Sequence, residues 1–292
     1  MEEAQKIALT FERHLDDVNP ANLTTLASEH ALRTGKDAFA DGAARGNNTS
    51  ILTVGFGTAV DALMAVKELV YERRELSLAD LGRLMARDWE GREDLRLRML
   101  RAPRKWGAND PEANAAAARL AKAAARAVNG KPNSRGGRFL LSGHCARQFV
   151  EQGRRIGATP DGRKAGDEVS KNLSPAVGAD REGATALVLT LGALDARDWP
   201  GDFPLDVMLL SRAVAGEKGL DAMAALAQTF FAQGGALIQF NVFDAAELRD
   251  AQAHPEKYEN LQVRVCGWNV RWNDLPKREQ DAYIQQAEEL AR

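Results

Sequence analysis

The spacing of apolar positions divides the chain into a helix-rich first half and an alternating second half. In TAVDALMAVKELVYERR (58–74), Val60, Leu63, Val66, Leu69 and Val70 recur at helical spacing and predict one face turned to a core. SLADLGRLMARDW follows, and Ser77 with Asp80 forms a capping-box-like start. DPEANAAAARLAKAAARAVNG has Asp110 placed as N-cap, Pro111 at the first helical position and Gly130 at the stop, which predicts a long helix. The polar stretch NGKPNSRGGR (129–138) reads as a loop, because Gly, Pro, Asn and Ser cluster there.

Beyond residue 200 the period alternates. FPLDVMLL (203–210), ALIQFNVF (236–243) and LQVRVC (261–266) suit strands, the second of them buried. Between and after them lie helical patterns: GLDAMAALAQTFFAQGG (219–235), DAAELRDAQAHPEKY with Asp244 and Glu247 as its cap, and PKREQDAYIQQAEELAR (276–292). Strands separated by helices argue for a helix-rich α/β fold with crossover connections.

Composition removes several functional classes. The 292 residues carry 39 Lys+Arg against 41 Asp+Glu, a net charge of −2, which gives no electrostatic reason to expect nucleic acid or an anionic membrane as a partner. The N-terminus, MEEAQKIALTFERHLDD, is acidic and amphipathic rather than a secretory signal, and no apolar run approaches the roughly 20 residues needed to span a bilayer. Two cysteines, Cys145 and Cys266, make no disulfide framework. The histidines (His14, His30, His144, His254) show no metal-ligand spacing, so no bound metal is expected. The expected setting is a reducing cytoplasm.

Three stretches carry unusual chemistry for connections. ADGAARGNNTSILTVGFG (40–57) combines four glycines with the adjacent amides Asn47 and Asn48; it lacks the lysine and hydroxyl of a phosphate loop, and a structural turn is the plainer reading. GATPDGRKAGD (157–167) holds a strong turn signal at Pro160-Asp161-Gly162; Arg163 and Lys164 offer charge for a carboxylate, although a solvated loop is the commoner fate of such residues. VRVCGWNVRW (263–272) places Gly267 inside a strand-like run, between Cys266 and Trp268, where a bulge is the ordinary explanation.

Taken together, GNNTSILTVGFGTAVDALMAVKELV (46–70), GATPDGRKAGDEVSKNLSP (157–175), GGALIQFNV (234–242) and LRDAQAHPEKYENLQVRVCGWNVRW (248–272) resemble the glycyl radical enzymes, the family of pyruvate formate-lyase, diol dehydratases and choline lyase. The resemblance implies the C-terminal half of the family's α/β barrel over residues 1–170, followed by the glycyl radical domain over 171–292. It implies that Gly267 stores the radical, with Arg264, Cys266 and Trp268 as its loop neighbours; Trp268 stands where the family usually has tyrosine. Physical chemistry agrees with glycine there. An α-carbon radical is delocalised between the amide nitrogen and the carbonyl when planar, and a side chain would crowd that plane. The resemblance further implies anaerobic metabolism and lyase or acyltransferase chemistry. It implies no bound cofactor in this chain, and an activating partner that uses S-adenosylmethionine and a [4Fe-4S] cluster to abstract the glycine hydrogen. A thiyl cysteine then starts cleavage of a C–C, C–O or C–N bond in a small-molecule substrate.

That thiyl cysteine sits, in the family, upstream of the segment matching GNNTS, and neither cysteine here replaces it. Cys266 precedes Gly267, and adjacent side chains in extended backbone point to opposite faces. Cys145, in LLSGHCARQF, falls where the family does not place its thiyl; it is kept as a secondary candidate thiol. Asn47, Asn48, Thr159, Gln239 and Asn241 are candidates for lining a cavity. Three readings stand side by side: the radical-bearing part of a lyase or dehydratase, a non-catalytic radical carrier or repair subunit, and a degenerate structural homologue. Retention of the whole RVCGW signature disfavours the third, the long stretch upstream of the radical domain weakens the second, and the first is favoured. A partial barrel exposes strand edges and apolar faces, so association is expected with an N-terminal partner half or with a second copy.

Overall fold

In the computed structural model, residues 1–43, 46–145, 147–265 and 268–291 are described. The chain forms two compact units: one comprises residues 1–52, 120–142 and 197–202, the other 53–119, 143–196 and 203–292. The architecture is helix-rich α/β, as the alternation of patterns predicts.

The first unit is built on a parallel strand pair, β1 (Thr49–Leu52) and β2 (Phe139–Ser142), in register from Thr49 opposite Phe139 to Leu52 opposite Ser142. Phe139 and Leu141 are buried, whereas Ser50 and Leu52 are exposed. The polar loop before β2 is tightly folded. Asn133 Oδ1 accepts from the backbone N–H groups of Arg135 (3.1 Å) and Gly137 (2.7 Å), an asparagine-capped turn. Gly137 is required there, since a Cβ would lie 2.3 Å from the Asn47 carbonyl oxygen. Short N-terminal helices complete the unit, and Ile7, Phe11, Leu23 and Leu26 on them remain exposed.

In the second unit the 58–74 pattern folds as a helix, Phe56–Val66, that widens into a π-helical turn over Lys67–Glu72. Its inner face differs from the expectation. Val60, Met64, Ala65 and Leu69 are buried, but Leu63 is half exposed and Asp61 takes a place inside. Apolar residues nearly surround this helix, so their spacing alone under-determines the face. The caps follow the sequence. Ser77 Oγ accepts from Asp80 N–H (3.1 Å) and Asp80 accepts from Ser77 N–H (3.3 Å), while Asp110 Oδ1 accepts from Glu112 (3.0 Å) and Ala113 (2.9 Å). Leu69, Leu81, Leu84, Trp89, Leu95 and Met99 pack into one cluster.

The later part of this unit is a β–helix–β crossover. β3 (Pro204–Leu209), buried along its length, pairs in parallel with β4 (Leu237–Val242), and the Gly216–Ala232 helix joins them. The register sets Asp206 opposite Gln239 and Met208 opposite Asn241. Asp244 does not cap the following helix, Ala245–Ala253, with its side chain; its carboxylate accepts instead from Ser211 N–H (3.3 Å), at the end of β3. β5 (Gln262–Val265) and β6 (Trp268–Arg271) then pair antiparallel, with Val265 opposite Trp268. Met208, Phe243, Leu248, Val263, Trp272 and Ile284 form a core shared by β3, this pair of strands and the closing helix, Lys277–Ala291.

Candidate functional site

β5 meets β4 at Arg264, which bonds Asn241. Cys266 and Gly267 lie outside the described residues, as does the Trp268 side chain. Arg264 is the nearest of the singled-out residues whose contacts are described. Its backbone N–H donates to Asn241 Oδ1 (3.0 Å), and its carbonyl accepts from Asn241 Nδ2 (3.2 Å) and from the Tyr283 hydroxyl (3.3 Å). Its guanidinium donates across the strand pair to Asn269 Oδ1 (3.0 Å).

Behind Asn241 runs a buried polar seam. Asn172, fully enclosed and held at φ +50°, accepts from Cys145 N–H at 2.9 Å through its side-chain oxygen. Its own N–H donates to Cys145 Sγ (3.1 Å), and its amide nitrogen donates to Asp206 Oδ2. Asparagine tolerates this left-handed backbone better than most residues, which explains its presence in SKNLSP. Lys171 Nζ lies 3.2 Å from Asp206 Oδ1 and 5.8 Å from the centre of the Tyr283 ring. Lys171, Ser174, Asp206, Met208, Asn241 and Tyr283 line a small cavity of about 60 Å³. Cys145 is therefore a buried partner of Asn172, and Gln239 is buried in β4 beside Asp206.

The TPDGR turn lies in the same unit. Thr159 Oγ1 donates to Asp161 Oδ1, and Thr159 N–H bonds Arg163 O (3.0 Å). Arg163 is not solvated, contrary to the expectation for this loop. It is buried, and its guanidinium donates to the carbonyls of Lys164 (2.5 Å), Ile156 (3.2 Å) and Gly157 (2.9 Å), while burial lowers its pKa. A guanidinium has enough donors to close a turn by satisfying several carbonyls at once. Next to it, Lys105 Nζ approaches Asp61 Oδ2 (3.5 Å) and the Asp161 carbonyl (3.3 Å). Asp61 Oδ1 accepts from Trp106 N–H (2.7 Å), and Trp106 Nε1 donates to Leu173 O (2.7 Å), tying this helix to the SKNLSP segment. Burial pushes the Asp61 pKa up to about 7 despite the nearby Lys105 cation. A polar cavity of about 320 Å³ adjoins this turn, lined in part by Arg96, Lys105, Asp161 and Arg163.

Asn47 and Asn48 belong to the other unit, where their recorded contacts hold its turns. Asn47 Nδ2 donates to Asp41 Oδ1 (2.7 Å), and Asn48 Oδ1 accepts from Arg138 N–H (3.0 Å). Sequence reasoning singled out Cys145, Thr159, Gln239, Asn241 and Arg264 but missed Asp61, Lys171, Asn172, Asp206 and Tyr283. A lone acid in the apolar run GTAVDALMAV was the available signal for Asp61; Asp206, inside FPLDVMLL, carried the same signal. Among the described residues, no group of three or more His, Cys, Asp or Glu side chains is placed to hold a metal ion, and no helix is long and apolar enough to cross a membrane.

Comparison with known proteins gives this arrangement its context. Residues 6–150 match the pyruvate formate lyase-like family and residues 169–273 the glycine radical family. The chain is 32% identical over 270 residues to trans-4-hydroxy-L-proline dehydratase of Clostridioides difficile, covering 92% of this chain and 34% of that protein. It is 33% identical over 244 residues to isethionate sulfite-lyase of Desulfovibrio desulfuricans, covering 80% and 28%. Among solved structures, hydroxyproline dehydratase of C. difficile superposes with a TM-score of 0.87 at 31% identity, covering 95% of this chain and 35% of that one. A glycyl radical enzyme of Archaeoglobus fulgidus gives 0.89 at 30% identity, covering 98% and 36%. The chain belongs to the glycyl radical enzyme family, and spans about a third of the length of these relatives. Its glycine radical domain implies a glycyl radical as post-translational modification.

Proposed function

We propose that this chain is the radical-bearing part of a glycyl radical lyase or dehydratase. In this reading residues 1–170 form the pyruvate formate-lyase-like barrel part and residues 171–292 the radical domain. Gly267 stores the radical, with Arg264, Cys266 and Trp268 around it. The observation that carries the reading is the glycine radical match over 169–273, which contains RVCGW whole.

An activating enzyme using S-adenosylmethionine and a [4Fe-4S] cluster removes one hydrogen atom from the Gly267 α-carbon. In turnover that carbon takes a hydrogen atom from a cysteine thiol, leaving a thiyl that abstracts hydrogen from the substrate and returns it after bond cleavage. The thiol is supplied from outside these 292 residues, and Cys145, fixed on Asn172, is the secondary candidate. Thr159, Gln239 and Asn241 are the candidates for cavity lining in the second unit, and Asn47 and Asn48 in the first. The partners of this reading are the activase, the polypeptide that carries the thiol, and a small-molecule substrate; its setting is an anaerobic cytoplasm.

The test is anaerobic incubation with radical S-adenosylmethionine activases, followed by electron paramagnetic resonance. A glycyl doublet is expected, absent in Gly267→Ala, and oxygen exposure is expected to release a C-terminal piece of about 26 residues, counted from Gly267. No doublet with several activases that work on related enzymes refutes the proposal.

A further inference from the structure

Among the described residues β4 and β5 belong to separate two-stranded sheets, with no backbone ladder between them. Asn241 occupies that place. Its carboxamide accepts from the Arg264 N–H and donates to the Arg264 carbonyl, the pair of bonds a neighbouring strand would supply. A carboxamide can do both at once through separate atoms, because it carries an acceptor and a donor side by side. Tyr283, from the closing helix, adds a second donor to the same carbonyl, and its ring packs edge-on against Trp272 with centroids 6.3 Å apart. We infer that Asn241 is a positioning residue of the radical site: it fixes the register and depth of β5, and thereby where Gly267, three residues beyond Arg264, is held.

The inference rests on the reading of Gly267 as the radical carrier, but the clamp itself is independent of it. Asn241 is well suited to set a position. It is buried and projects from a strand paired in register with the fully buried β3. Its grip is on the backbone of residue 264, so it acts whatever side chain stands there. The antiparallel ladder joins β5 to β6, Arg264 adds a side-chain bond to Asn269 across it, and Val263 seats the pair in the core, so the Asn241 bonds fix the polar backbone at residue 264. A clamp of side-chain bonds releases without unravelling a sheet, whereas a backbone ladder would couple β5 to β4 along its length.

Hydrogen–deuterium exchange on the full 292-residue chain, resolved to single amides, tests the clamp. Asn241→Ala is expected to speed exchange at the Arg264 amide by at least about fivefold, the size expected for loss of two hydrogen bonds. Amides of β3 and β4 keep their native rates. Tyr283→Phe, which removes only a donor to the carbonyl, leaves the Arg264 amide within about twofold of native. Unchanged exchange at Arg264 in Asn241→Ala overturns the inference, and so does uniform acceleration across β3, β4 and β5, which would mean general loosening. In a second arm the activated chain is given limited oxygen, and Asn241→Ala is expected to lose its glycyl doublet at least about fivefold faster than native. Equal decay with selective exchange leaves a clamp and overturns its role at the radical site. Absence of a doublet in the native chain, with selective exchange intact, refutes instead the radical reading of Gly267.

Discussion

Asp61 offers the sharpest test of the electrostatics in the interior. Its carboxylate is buried, one oxygen bonded to Trp106 N–H at 2.7 Å and the other 3.5 Å from the Lys105 ammonium. Burial outweighs that cation and lifts the pKa from the ordinary 3.8 to about 7. The folded protein thus holds a proton at Asp61 that the unfolded chain has already released above pH 4. The stabilisation is complete below the unfolded value and is lost as pH rises through about 7. At about 1.4 kcal/mol per unit, a rise of some three units corresponds to about 4 kcal/mol between pH 4 and pH 8. Asp61→Asn keeps the acceptor for Trp106 and removes the titration. The difference in unfolding free energy, native minus Asp61→Asn, is expected to fall by about 3–4 kcal/mol over that range. Urea unfolding followed by tryptophan fluorescence measures it, with Asp61→Asn/Lys105→Met as the control in which Lys105 is no longer left without its counter-charge. A difference that stays constant with pH refutes the account, and one that grows with pH reverses its sign.

Two further outcomes follow from packing. A Cβ at position 57 would lie 2.8 Å from the Ser174 carbonyl oxygen and 3.0 Å from Trp106, so Gly57→Ala is expected to lower stability by about 1–3 kcal/mol, read as a drop in melting temperature. Asn172→Ala removes the partner of Cys145 N–H and of one Asp206 oxygen and leaves alanine at φ +50°; a loss of about 2–5 kcal/mol is expected in urea unfolding, and Asn172→Gly recovers only the backbone share, about 1 kcal/mol.

Much of the fold was legible because it is written in local chemistry. The caps at Ser77 and Asp110, the crossover from FPLDVMLL to ALIQFNVF and the closing helix depend on residues near one another in sequence. What escaped depends on distant partners. Asp244 looks like an N-cap beside Glu247, yet the end of β3 supplies it with Ser211 N–H. Arg163 looks solvated until the turn it closes is seen around it. Leu63 and Asp61 exchange the places expected of them because Trp106 and Lys105, over forty residues away, provide the acid with bonds. At the candidate site, RVCGW marked the segment, but nothing in the sequence paired Asn241 with Arg264 or Asn172 with Asp206.

The discontinuity of the first unit has a consequence for synthesis. β1 and β2 are paired in parallel across 90 positions, Thr49 against Phe139, and the unit closes only with residues 197–202. Emerging from the ribosome in order, residues 1–52 must wait for about 150 more before their last neighbours exist, so their amphipathic N-terminal helices stand meanwhile without the rest of the unit. The first unit is thus completed only once residue 202 has been made, long after its own helices, and those early helices are the place to look for a chaperone's grip during translation.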